Sequence, residues 1–226
     1  MRGLVVGNGN DFDPGFVGQR LRARGYAFTE CHRERPDEWP PLDGIELLLL
    51  LGSEWHVYDE STAVLVEAEA QVVRDAVVAD VPVLGICFGG QVIAHALGGE
   101  VTRTDRYEIG WYEVEPLAGA PGDFVAGPWV EWHDDVFSVP EGFDVLARTE
   151  SGPQLVRGGR VLGTQFHPEC TETMLTSWLR TGGAEQYRQR GGDPSAFLAA
   201  TRENTDASRV HAGLLVDWFV DDVAPS

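Results

Sequence analysis

Residues 45 to 53 read IELLLLLGS, and the five leucines from Leu47 to Leu51 leave a strand no polar face. Such a strand must be buried on both sides, the condition of a central strand in a parallel sheet covered by helices. A second run, VPVLGIC at residues 81 to 87, has the same character. Around these two the chain alternates. GLVVGNGN reads as a short buried strand closing in a Gly/Asn turn, FVGQRLRARG has helical spacing with a Gly stop, and YAFTECHRE supplies a candidate second strand. An amphipathic segment runs from about Asp59 to Ala79. The order βαβαβα with short connections predicts an α/β fold built on an open, mostly parallel sheet with helices on both faces. Ligands of such sheets bind beyond the carboxyl ends of the strands.

Residues 100 to 166 are different: EIGWYEVEPL, GPWVEWHDDVFSVP, DVLARTES and PQLVRGG are short, β-rich and punctuated by Gly and Pro. They predict an added β-hairpin region with edge strands carried on the same domain. Helical signals return with TETMLTSWLRTGG and from Asp193 to about Val223, where Val210, Leu214, Leu215 and Trp218 form an apolar stripe for packing on the sheet. A length of 226 residues suits one large α/β domain, so residues 1–226 are expected to form a single domain.

The net charge of -19 would repel phosphate backbones and anionic lipid surfaces, so neither nucleic acid nor membrane is an expected partner. The longest apolar run is about half of the roughly 20 residues a membrane span needs, and the opening MRGLVVGNG is too short and broken for a signal-peptide core. A soluble, cytoplasmic protein is expected. All 17 basic residues are Arg, which removes lysine chemistry such as Schiff bases. Cys31, Cys87 and Cys170 make an odd count with no CxxC spacing, so neither a disulfide framework nor a metal site is implied.

Gly85-Ile86-Cys87-Phe88-Gly89 has the spacing of the G-x-S-x-G nucleophile elbow, with Cys in place of Ser. A strand turning sharply into a helix thrusts its central side chain out of the sheet, and the flanking positions need glycine for the turn to close. The helix that follows points its positive dipole end at the sulfur, favouring thiolate over thiol. A buried structural cysteine is the plainer alternative, and a base decides between them. RVLGTQFHPE offers one: His167 at a predicted strand end, with Glu169 two positions on, where it can hydrogen-bond the imidazole, hold one tautomer and stabilise the cation. His95, in the helix after Cys87, is expected to be packed there and not catalytic.

The runs GICFGGQ and FHPE, with the strand end LLLLLGS, resemble the class I, or triad, glutamine amidotransferases. The likeness extends over nearly the whole chain, including DPGFVGQRLRARGY and WHDDVFSVP, and is similar to free-standing members related to the amidotransferase domain of GMP synthase. It implies a flavodoxin-like sheet, no cofactor, and a reaction in which Cys87 attacks a γ-carboxamide, His167 serves as general base and then acid, and Glu169 orients it. The resemblance puts the oxyanion donors at the backbone amides of Phe88 and of Gly52 or Ser53. It makes Gln91 a residue that helps bind the glutamine moiety. His133 and Asp134 match the segment that approaches the substrate's α-carboxylate, by backbone or side chain. Ser53-Glu54-Trp55 departs from the family's Gly-Pro-rich loop.

Two catalytic readings follow. One is a glutamine amidotransferase that hydrolyses L-glutamine and hands ammonia to a separate synthase, since neither a Walker A loop nor G-x-G-x-x-G occurs in the chain. The other is a stand-alone γ-glutamyl hydrolase acting on γ-glutamyl amides or conjugates, with Trp55, Trp111, Trp129 and Trp132 as candidates to receive a bulky leaving group or, alternatively, as packing. A non-catalytic partner module is the third alternative.

Overall fold

The computed structural model describes residues 1–9 and 12–225; the last residue of the GNGN turn, Asn10, lies outside the described residues. Four parallel pairings join β2 (Ala27–His32), β1 (Arg2–Gly7), β3 (Leu47–Leu50), β4 (Val83–Ile86) and β10 (Val161–Thr164) in that spatial order. The sheet then continues antiparallel through β9 (Pro153–Gly158), β8 (Asp144–Arg148) and the two-residue β6 (Glu115–Pro116). The predicted hairpin region therefore splits. Part of it widens the main sheet, while β5 (Val101–Tyr112) and β7 (Trp129–Phe137) pair as a separate antiparallel ribbon.

The leucine run explains how the layers form. Leu47 and Leu49 face one side, where they join Val5, Leu84 and Ile86 beneath Phe16, Val17 and Leu21 of α1 (Gly15–Ala23) and Ala212, Leu215 and Val216 of α6 (Pro194–Trp218). Leu48 and Leu50 face the other, with Leu4, Val6 and Val83 beneath Val66, Ala70 and Val73 of α2 (Ala63–Val78) and Val92 and Ile93 of α3 (Phe88–Ala96). Alternation along a strand delivers successive leucines to opposite cores. All four are fully buried, worth roughly 1.5–3 kcal/mol of transfer free energy for each side chain.

Helix starts follow local chemistry. Asp193 accepts a hydrogen bond from the Ser195 amide at 2.8 Å ahead of Pro194, and Thr171 accepts from the Met174 amide at the start of α4 (Glu172–Trp178). The helix predicted from Asp193 is confirmed, and continues past Trp218 in wider turns to Val223. A short helix, α5 (Ala184–Gln189), lies in a stretch the sequence leaves unassigned. Among the described residues no helix is long and apolar enough to cross a membrane.

Candidate active site

Three neighbouring strands end together at one edge of the sheet. β3 runs into Leu51 and Gly52, β4 into Cys87, and β10 into the segment leading to His167. The in-register pairing of Thr164 with Ile86, extended by the Cys87 amide donating to the Thr164 carbonyl at 2.8 Å, fixes β10 beside the cysteine.

Cys87 has φ 49° and ψ −107°, outside every region that suits a side chain. Such a residue costs on the order of 1–3 kcal/mol and persists only where its surroundings over-determine it. Here the surroundings are contacts only glycine permits. A Cβ on Gly85 would stand 2.6 Å from the backbone of Gly89, and one on Gly89 would stand 2.4 Å from the Leu50 carbonyl oxygen. α3 is thus pressed directly onto β3 and β4, with Cys87 at its N-terminal cap, where the first amides of a helix have no partner within it. The sulfur is buried but reached by Gln165, whose Nε2 donates to Sγ at 3.5 Å.

His167 lies beyond the end of β10, which stops at Thr164, so the expected strand end is three residues late. The imidazole is instead placed by its own amide, which donates to the Val130 carbonyl of β7 at 2.8 Å, and by Trp178 of α4, packed edge-to-face at 5.1 Å. Its Nδ1 meets Oε1 of Glu169 at 2.7 Å. That leaves Nε2 for the sulfur; among the described residues Nε2 makes no hydrogen bond of good geometry. Burial works against a charged ring, but the charges of Glu169 and Cys87 outweigh it and raise the His167 pKa well above its ordinary value. Glu169 is anchored through its backbone, since its carbonyl accepts from the Phe16 amide at the start of α1.

Gly52 closes the third side. A Cβ there would fall 3.1 Å from Cε1 of His167 and 3.9 Å from Cβ of Cys87, so the backbone itself forms this wall. Behind it lies Arg33, a residue the sequence reading passes over. Its guanidinium is fully buried, pairs with Glu69 at 2.6 Å, and donates to the carbonyls of Leu51 at 2.9 Å and Gly52 at 3.2 Å. It also lies 4.8 Å from the ring centre of Phe88. Ser53 accepts from the Trp55 amide, turning the loop toward His56 and Tyr58, which both reach Asp135 of β7.

The remaining predicted residues divide. Gln91 is buried beside the cysteine and donates to Gln165 Oε1 at 3.3 Å, linking it to the sulfur's own donor. The His133 side chain turns inward: Nδ1 donates to the Asp135 carbonyl while Nε2 faces Glu108 at 3.2 Å and Glu131 at 3.3 Å. Burial opposes its charge, yet the two carboxylates push its pKa up to about 10. Asp134 projects from the opposite face of the strand to Arg103 and Arg190. His95 is exposed and paired with Glu67, so the expectation that it is packed is corrected: α3 turns that position to solvent. Trp129 is buried against Phe166, Trp111 donates to Thr201, Trp132 packs among Trp178, Tyr187 and Phe197, and Trp55 is partly buried against the core that holds Leu48 and Leu50.

Among the described residues three groups bring metal-ligating atoms within 4.8 Å of one another: His167, Glu169 and Cys170; His56, Asp134 and Asp135; and Glu108, Glu131 and His133. Internal pairing explains each, through His167 with Glu169, His56 with Asp135, and a charged His133 between two carboxylates. A thiol on a strained corner and an imidazole oriented by a carboxylate can together perform acyl transfer through a covalent intermediate.

The family description glutamine amidotransferase class-I matches residues 17–182. The glutamine-hydrolyzing GMP synthase of Leifsonia xyli subsp. xyli is 35% identical over 187 residues, covering 74% of this chain and 35% of that protein. The matches span between 20% and 37% of the length of such curated relatives. The crystal structure of a glutamine amidotransferase from Thermotoga maritima superposes with a TM-score of 0.83 at 25% identity, covering 97% of this chain and 98% of that one. One from Methylobacillus flagellatus shares the fold, with a TM-score of 0.82 at 24% identity over 99% of this chain and 95% of that one.

Proposed function

This chain belongs to the class I glutamine amidotransferase family, and from that premise we propose that it hydrolyses the side-chain amide of L-glutamine at Cys87, His167 and Glu169. The Cys87 sulfur attacks the γ-carboxamide carbon, and the proton taken up by His167 passes to the leaving nitrogen. Ammonia departs and a γ-glutamyl thioester remains. Water, deprotonated by the same imidazole, then attacks the thioester, releasing glutamate and restoring the thiol. Glu169 keeps Nδ1 protonated and offsets the charge that His167 carries between the two halves. The amides of Phe88 and of Gly52 or Ser53 face the oxygen that becomes negative in each tetrahedral intermediate. Gln91, linked to Gln165 beside the sulfur, is assigned to the bound glutamine moiety; the His133 side chain is committed elsewhere, so any contact from residues 133 and 134 to the α-carboxylate falls to their backbone.

The observation that carries this reading is the meeting of the strained Cys87, the paired His167 and Glu169 at 2.7 Å, and the side-chain-free wall of Gly52 at one sheet edge. We assign the ammonia to a synthase activity outside these 226 residues, because the chain carries no nucleotide-binding loop of its own. The relatives named GMP synthase make a nucleotide-forming synthase the first partner to test. The purified chain alone should release ammonia and glutamate from L-glutamine in equal amounts, and with such a synthase and its substrates glutamate should exceed free ammonia by the amount transferred. Cys87→Ala should release neither. Turnover of γ-glutamyl conjugates with none of glutamine would overturn the glutaminase reading in favour of a γ-glutamyl hydrolase.

A further inference from the structure

We propose that Arg33 is a positioning residue for the oxyanion hole, holding the backbone on both sides of it from behind. The inference rests on the glutaminase reading above and adds to it a residue outside the reacting set.

Arg33 follows β2, and its amide donates to the Gly7 carbonyl at 2.9 Å, so its place is set by the sheet. From there one planar guanidinium makes four kinds of contact. Nε and Nη2 engage the Glu69 carboxylate of α2 at 2.6 and 3.1 Å, and Nη1 also donates to Asn8 Oδ1 at 2.6 Å. Nη2 and Nη1 take the successive carbonyls of Leu51 and Gly52. The face of the group lies against Phe88. In a trans peptide the N–H points opposite to the C=O of the same plane. Drawing the Leu51 carbonyl back toward Arg33 therefore turns the Gly52 amide away from it, and drawing back the Gly52 carbonyl does the same for the Ser53 amide. These amides are assigned to the side on which Gly52 approaches His167 and Cys87, where a Cβ would fall 3.1 Å from Cε1 of the first and 3.9 Å from Cβ of the second. Phe88, whose amide is the other donor, is braced by the same group through its ring.

The chemistry of the contact explains why arginine stands here. Two adjacent carbonyls, a carboxylate and an aromatic face require a planar fork with five donors, and an ammonium cannot meet them at once. A buried Arg–Glu pair contributes little to stability compared with well-packed apolar residues of similar volume, so the arrangement is better explained by what it orients than by what it stabilises.

The test separates acyl chemistry, which develops an oxyanion, from alkylation, which does not. In the full chain, Arg33→Lys retains a charge for Glu69, and the double variant Arg33→Met with Glu69→Leu removes the pair without leaving a buried charge alone. For each, kcat and KM for glutamine are compared with the rate at which iodoacetamide alkylates Cys87. Positioning of the hole predicts a fall in kcat of roughly tenfold or more, toward the 10²–10³ cost of deleting a donor outright, with KM and alkylation within about twofold of wild type. Wild-type kcat in both variants, or alkylation slowed or accelerated as much as turnover changes, overturns the proposal. If the unmodified chain shows no Cys87-dependent glutamine hydrolysis with or without a synthase, the glutaminase reading fails and this inference with it; wild-type kcat in both Arg33 variants beside an active parent chain overturns this inference alone.

Discussion

Nδ1 of His167 sits 2.7 Å from Oε1 of Glu169, with only Pro168 between them in the chain. The proline restricts the backbone so that the two side chains meet, and the contact leaves a single tautomer with Nε2 free for proton transfer. Glu169→Gln presents an amide N–H to Nδ1 and favours the wrong tautomer. The expected outcome is a loss of about 10²–10⁴ in kcat with a smaller change in KM, read by steady-state ammonia release.

The same pair sets a pH dependence. The His167 pKa is raised well above its ordinary value despite burial, because Glu169 and Cys87 favour the cation. An imidazolium able to protonate the leaving nitrogen therefore survives into alkaline solution. Neutralising Glu169 weakens that support, so the alkaline limb of kcat/KM should move to lower pH in Glu169→Gln. An unmoved limb would show that another group sets it.

Folding stability carries a second pH signature, at His133. Its pKa is about 10 in the folded chain, against about 6.5 unfolded. The folded state holds the extra proton more tightly, so this contribution is complete below pH 6.5 and is lost as pH rises through 10. Urea unfolding should show wild-type stability falling between neutral and strongly alkaline pH, and falling less in His133→Gln, which is also less stable near pH 6.

Two glycines test close approach against conformational freedom. A methyl at Gly89 meets the Leu50 carbonyl at 2.4 Å, whereas one at Gly213 in α6 meets nothing within 4 Å. Gly89→Ala should destabilise by about 1–3 kcal/mol through overpacking and depress activity by displacing the wall at Gly52. Gly213→Ala should stabilise by about 0.5–1 kcal/mol through helix propensity alone. Equal effects in urea unfolding would contradict the packing described for the corner.

Much of this is legible from residue order because the physics is local. Five successive leucines can only be satisfied by two cores, and Gly-x-Cys-x-Gly between an apolar strand and an apolar helix announces a strained corner. His167 and Glu169 are close in sequence, so their contact is readable too. Arg33 and Gln165 are not, since their partners lie 36 and 78 residues away, at Glu69 and Cys87. Arginine in a chain whose only basic residues are arginines attracts no notice until burial singles it out. The inward turn of His133 depends on Glu108 lying opposite it in the β5–β7 ribbon, a register no local pattern encodes.

The pairing of β10 with β4 has a consequence for the making of the protein. Cys87 is synthesised eighty residues ahead of the ring that would serve it, which arrives on a segment held in place by strand register and by the Val130 carbonyl. A nascent chain released before residue 167 would carry a thiol without its proposed base. Chemical competence is thus acquired only once β10 has paired with β4, and a one-residue slip of β10 would part the imidazole from the thiol.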